Sequence, residues 1–241
     1  MDYDVKVVAG QLLLLSKSLA PGHKEDVVQS LLFAQLYANS RADKFCQALE
    51  WDKYQVKALQ EARWITTLVQ TRSNQPSPRQ VMSVSRLLTL QLGSVLEEGA
   101  SVRLDAVSRA LTALARTPVA RQVFDEACLM RTAMCVTEDS APASRVSLQV
   151  TLVEPGALAV SIQIGFTTRV AFADDLLTRR FSGLDVDGAV VTSVTRTELD
   201  IPNYARVRSK ILTALGTQQE TLVVEVGVPL VSAEWAGRSE T

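Results

Sequence analysis

The alternation between Arg145 and Phe166 constrains this chain more than any other feature. Val146, Leu148, Val150 and Leu152 take every second position of residues 145–153 and so share one side of an extended chain. Pro155-Gly156 marks a turn, after which Leu158, Val160, Ile162 and Ile164 repeat the pattern. A period of two belongs to strands, whose side chains alternate across the backbone. Residues 145–166 are therefore expected to form a β-hairpin. Further on, Ala189–Leu199 and Thr221–Val228 read as strands. Val170–Phe181 reads as a strand or irregular edge, and residues 202–215 as a helix burying Tyr204, Val207, Ile211 and Leu215.

Upstream the period becomes helical. Over Leu49–Thr71, Trp51, Tyr54, Ala58, Ala62, Ile65 and Val69 fall on one face of a single long helix. Residues 3–19 predict another helix, with Val5, Val8, Leu12, Leu15 and Leu19 on its periodic face. Leu13 and Leu14 widen that face almost all round. Helices are also expected over about 24–39, 78–96, 102–115 and 118–136, the second and fourth of these opening on Ser77-Pro78 and Thr117-Pro118. The expected fold is α+β: an N-terminal bundle of about six helices, then a mainly antiparallel sheet of four or five strands with one packed helix. The helical region would span 1–137 and the mixed region 145–241. The polar stretch 138–144 would link them, and the two could still form one cooperative unit.

Length and composition suit one large or two small globular domains: 241 residues, 47% hydrophobic and 21% charged. The net charge of −1 gives no global field to recruit nucleic acid or anionic membrane. Arg outnumbers Lys, a bias associated with bacterial or phage sequences. Cys46, Cys128 and Cys135 are odd in number and irregularly spaced, which fits buried thiols in a reducing compartment rather than a disulfide framework or cysteine zinc site. Val7–Leu15 is too short to span a membrane as a helix, and the MDYDVK that precedes it is net acidic, without the basic region of a signal peptide. A cytoplasmic location is the expectation.

Catalytic constellations are scarce. His23 stands alone in a loop-like setting without a Gly-x-Ser-x-Gly elbow, and one histidine cannot build a histidine-rich metal site. No phosphate-binding glycine motif occurs. Asp185-Val-Asp187-Gly188 resembles part of a calcium loop but lacks its closing Glu. Asp174 and Asp175, with Glu198 or Asp200, are the one carboxylate group in the β region that could pair for acid–base work. The clusters Arg79/Arg86, Arg109/Arg116, Arg179/Arg180 and Arg206/Arg208/Lys210 lack the aromatic neighbours of a nucleic-acid groove. No catalytic, metal or cofactor-binding residue is assigned, and no cofactor is expected.

What remains is apolar and aromatic surface. Leu12, Leu13, Leu14, Tyr37, Trp51, Tyr54 and Trp64 are the candidate interface residues, since Trp and Tyr anchor interfaces and an all-round apolar helix needs cover on both sides. The sequence thus points to a non-enzymatic interaction or assembly protein that self-associates through apolar helix surface, with a protein partner or a second copy and no nucleic acid. Two alternatives stand beside it: a membrane-acting or secreted effector with a masked apolar helix, and a metal-independent enzyme using carboxylates or arginines.

Overall fold

The structure is a computed structural model that describes residues 3–93, 100–131, 144–172 and 175–227. Strands β1 (Tyr3–Val8) and β2 (Gln11–Ser16) form a hairpin over Ala9-Gly10, with Ala9 at φ +50°. Helices α1 (Pro21–Asn39) and α2 (Ala48–Glu61) follow, then β3 (Trp64–Asn74), β4 (Val81–Met82), α3 (Val84–Gly93), α4 (Ala100–Ala115) and α5 (Pro118–Cys128). The remainder is β5 (Leu129–Arg131), β6 (Ser144–Glu154), β7 (Leu158–Thr168), β8 (Phe181–Ser182), β9 (Val186–Leu199), α6 (Ile201–Tyr204), α7 (Arg208–Leu215), α8 (Gln218–Leu222) and β10 (Val223–Glu225).

One mixed sheet of eight strands runs β10-β1-β2-β6-β7-β9-β3, with β5 pairing the start of β6. The β2–β6 pair is parallel, Leu12 opposite Val150 and Leu14 opposite Leu152. The sheet has a helical layer on each face. Helices α3, α4 and α5 bring Leu88, Leu114 and Phe124 onto Leu12, Leu14, Leu148, Ile162 and Ile164. Helices α1, α2 and α7 bring Val27, Leu32, Ala58 and Ile211 onto Leu13, Leu15, Val153 and Ala159.

The class is α+β, but the expected N-terminal six-helix bundle does not exist: three of the sheet's longer strands or hairpin arms come from the first 74 residues. Residues 3–16 are the β1–β2 hairpin, not a helix. A strand covered on both faces is apolar at every position, so its run of leucines carries no period to separate it from a buried helix. The expected helix over 49–71 stops at Glu61, because Arg63 takes the left-handed φ of +66° and ends it. The β-branched-rich WITTLV that follows extends as β3. The helix expected over 78–96 starts only at Val84, and that expected over 118–136 yields after Cys128 to β5, its last residues lying outside those described. Residues 145–166 do form the expected hairpin, registered from Val146 opposite Phe166 to Val153 opposite Ala159, with Gly156 at φ +80° in its turn. The stretch 138–144 lies outside the described residues except for Ser144.

Close backbone approach fixes one loop. Gly183 donates its N–H to the Gln80 carbonyl at 2.9 Å, and a Cβ at residue 183 would collide with the Ser77 carbonyl. Gly183→Ala is expected to lower stability by about 1–3 kcal/mol, the usual cost of forcing an extra carbon into packed structure. Urea unfolding would measure this, and an unchanged midpoint would count against the packing described.

Candidate functional site

The face of the sheet beneath α2 is polar although it is largely covered. The antiparallel registers line up its side chains in lateral rows across β6, β7, β9 and β3. One row is Gln149, Gln163, Ser193 and Thr71; its neighbour is Thr151, Ser161, Thr195 and Val69. On the other side lies Ser147, Gly165, Val191 and Ser73. On β6 and β7 each of these residues alternates with an apolar one that points into the opposite layer, as strand geometry requires.

Part of this polar surface is satisfied within the chain. Gln35 Nε2 donates to Gln11 Oε1 at 3.0 Å, Gln11 Nε2 donates to Thr151 Oγ1 at 2.5 Å, and Thr151 and Ser161 share a hydrogen bond of 2.7 Å. The N–H of Gly10 donates to Gln35 Oε1 at 3.2 Å. That network ties α1 to the middle of the sheet without a buried charge.

Toward β3 the cover lifts. Between α2 and the rows lies a hollow of about 510 Å³, walled by Leu49, Val56 and Leu59 with Glu50, Lys53 and Lys57 of the same helix, and floored by Val69 and the polar residues of β6, β7 and β9. A second hollow of about 320 Å³ adjoins it, sharing Leu49, Asp52, Thr71, Gln163 and Ser193, and extends to Lys44, Gly165 and Asp187. Volumes of this size are those of small-molecule sites.

Asp52 stands where the hollows meet. Burial pushes its carboxyl above the ordinary carboxylate range, and a hydrogen bond from Gln163 opposes that rise. Its Oδ1 has no hydrogen-bond partner. At the far end Lys44 donates to the Ser147 carbonyl at 3.2 Å, and burial depresses its ammonium. Beside it the Cys128 thiol, hydrogen-bonded to the Gly10 carbonyl at 3.4 Å, is pushed up to about 12 by burial. Cys128 is thus a buried structural thiol as expected, whereas Cys46 is exposed and takes a hydrogen bond from Arg145, and Cys135 lies outside the described residues.

The residues singled out from sequence fall elsewhere. Leu12, Leu13 and Leu14 are fully buried, in the sheet rather than on a helix. Trp64 is buried at the start of β3, its Nε1 donating to Ser30 Oγ at 2.9 Å. Tyr37, Trp51 and Tyr54 do meet, at the seam between α1 and α2. Trp51 Nε1 donates to Asn39 Oδ1 at 2.7 Å, and the two tyrosine rings lie edge to face at 6.4 Å. Asp174 lies outside the described residues. Asp175 pairs with Arg179, and Asp200 caps α6 by accepting from the Asn203 N–H at 3.1 Å. His23 sits in the first turn of α1, not in a loop. Arg109 pairs with Asp105 and Arg208 with Asp26, both at 2.7 Å, so these arginines serve ion pairs.

Sequence reading missed Asp52, Gln149, Gln163 and Ser193. A signal existed: the polar positions of β6 and β7 are amides and hydroxyls, whereas a solvent-facing strand face collects Lys, Glu and Arg. Uncharged polarity at every second position marks a face that is covered but not packed with hydrocarbon.

No family model matches the chain, and no curated protein does. Several solved structures resemble it, three of them as follows. A delta-endotoxin aligns with 80% of this chain and 84% of its own at 15% identity and a TM-score of 0.40. The activated Cyt2Ba monomer from Bacillus thuringiensis subsp. israelensis aligns with 79% of this chain and 97% of its own at 13% identity and a TM-score of 0.40. The Evf virulence factor aligns with 88% of this chain and 82% of its own at 10% identity and a TM-score of 0.36. At these scores the similarity carries no argument about function.

Proposed function

We propose that the protein is a membrane-acting effector whose membrane-engaging element is the sheet, not a helix. The observation that supports this is the form of three adjacent antiparallel strands. β6, β7 and β9 are 11, 11 and 14 residues long, with Val146, Leu148, Val150, Leu152, Ile162, Ile164, Phe166, Val190 and Val194 on one face. Amides and hydroxyls occupy most of the other. About 9–11 residues of tilted strand cross a bilayer, and strands that do so alternate apolar-out with polar-in. Among the described residues no helix is long and apolar enough to cross. The earlier idea of a masked apolar helix gives way to a masked apolar sheet face.

Helices α3, α4 and α5 cover that face. Uncovering it in water would forgo roughly 1.5–3 kcal/mol for each large aliphatic side chain, so the layer leaves only where lipid takes its place. Arg103 of α4 is bound to Glu154 at the end of β6 with a 2.6 Å contact, which offers a place to tether layer to sheet. The test joins Arg103→Cys to Glu154→Cys with a thiol-cleavable bis-maleimide, in a Cys46→Ser, Cys135→Ser background. Dye release from phospholipid vesicles is expected with the untethered protein, to vanish on tethering and to return on cleavage. Leakage that ignores the tether, or no leakage in any state, would refute the proposal.

A further inference from the structure

Asp52 is half-buried with its Oδ1 enclosed, and it lacks what an enclosed carboxylate oxygen ordinarily has. Carboxylates taken out of water are paired with a cation or saturated with hydrogen-bond donors. Lys53, the nearest cation in sequence, is engaged with Glu50 at 2.5 Å. The influences on the Asp52 carboxyl are burial and the Gln163 amide, with no cationic side chain among them. Its Oδ1 is left without a donor, and the torsion that would aim it into the hollow is a soft one. The Gln163 Nε2 that donates to Asp52 leaves the Gln163 Oε1 able to accept. Ser193 and Thr71, next in the same row, also carry acceptor oxygens. The α2 wall above them offers Leu49, Val56 and Leu59, with the exposed Glu50, Lys53 and Lys57 also lining the hollow. A group with several N–H donors and a positive charge, joined to a hydrocarbon chain, matches Asp52, the acceptors beside it and the aliphatic part of the wall.

We propose that the hollow beneath α2 binds a primary alkylammonium, its ammonium held by Asp52 and Gln163 and its chain lying against Leu49, Val56, Leu59 and Val69. This site does not depend on the membrane reading: it involves the polar face of the sheet and the opposite helical layer. It also accounts for a carboxyl kept where the fold alone does not favour it, since sites that bind charge commonly cost stability.

The probe is n-octylammonium chloride, titrated calorimetrically into the full chain, with octanoate and ethylammonium as controls. Octylammonium is expected to bind one per chain, octanoate not at all, and ethylammonium far more weakly. Asp52→Asn should weaken binding about tenfold or more, the loss of one charge-assisted hydrogen bond. The same variant should melt higher than wild type near neutral pH, because it removes a desolvated charge; a carboxyl with only a structural role would not weaken binding. Gly165→Leu supplies the second variant. A Cβ at residue 165 meets only the Val146 carbonyl, at 3.8 Å, so a side chain there occupies the adjoining hollow without disturbing the backbone. It should fold normally and bind octylammonium as tightly as wild type, because the alkyl chain lies in the first hollow and not in the adjoining one. Equal binding of octanoate or of ethylammonium, undiminished binding by folded Asp52→Asn, binding weakened about tenfold by Gly165→Leu, or no binding by wild type would each overturn the proposal.

Discussion

Leu13→Glu combined with Leu14→Glu is expected to abolish the soluble folded protein. The two residues are adjacent in β2, so strand geometry sends them to opposite faces. Leu14 packs with the α3–α5 layer and Leu13 with the α1–α2–α7 layer, and neither touches solvent. Each substitution removes roughly 2 kcal/mol or more of burial and adds a carboxylate whose desolvation costs several more. The sum, on the order of 10 kcal/mol or more, is comparable to the whole 5–15 kcal/mol stability typical of a natural domain. Single changes Leu13→Glu and Leu14→Glu should each fail nearly as badly, because no face of this strand is open. Expression with a solubility assay and circular dichroism decides it: a folded double variant of unchanged melting temperature would mean that β2 is not central to the sheet.

The second large effect is asymmetric. Arg208 of α7 binds Asp26 of α1 through both Nε and Nη2, each at 2.7 Å. The Asp26 side chain is 3% exposed and that of Arg208 is 42% exposed. Arg208→Ala therefore strands a buried carboxylate, and about 3–5 kcal/mol of stability should be lost. Asp26→Ala leaves a guanidinium that can turn to water, so its cost should stay below about 2 kcal/mol. For a chain of this size the first change would lower the melting temperature by roughly 6–20 °C. Calorimetry on the two variants tests it; equal losses, or a larger loss from Asp26→Ala, would contradict the burial assigned to the pair.

How much of this was legible depends on what each segment packs against. β6 and β7 face two different environments, hydrocarbon on one side and amides and hydroxyls on the other, and their period of two was plain in Val146–Leu152 and Ile162–Phe166. β2 faces hydrocarbon on both sides, so QLLLLS displays no period at all. The α2–β3 junction was missed because its break rests on the backbone of Arg63, a residue type with no preference for positive φ. The candidate site was harder still. Asp52 is one acidic residue on a helix rich in charge, and only the register that sets Gln163 beneath it gives it meaning. Glutamines and serines have no chemistry to announce; their role comes from being covered.

The parallel pairing of β2 with β6 has a consequence for the protein's birth. β2 is complete at Ser16, and its partner begins at Ser144. At 5–20 residues per second a ribosome needs on the order of ten seconds to make the intervening chain. Throughout that interval the four leucines of β2 have β1 on one edge, an open edge where β6 will pair, and the α3–α5 layer only toward its end. The hairpin's other neighbour, β10, arrives later still, when Val223–Glu225 emerge to pair with Lys6–Val8. The most apolar segment of the molecule is thus made long before its central partner strand and is among the last to be enclosed. Its safe passage depends on α1, the first helix to follow, folding back over Leu13 and Leu15, or on a chaperone standing in for the missing strands.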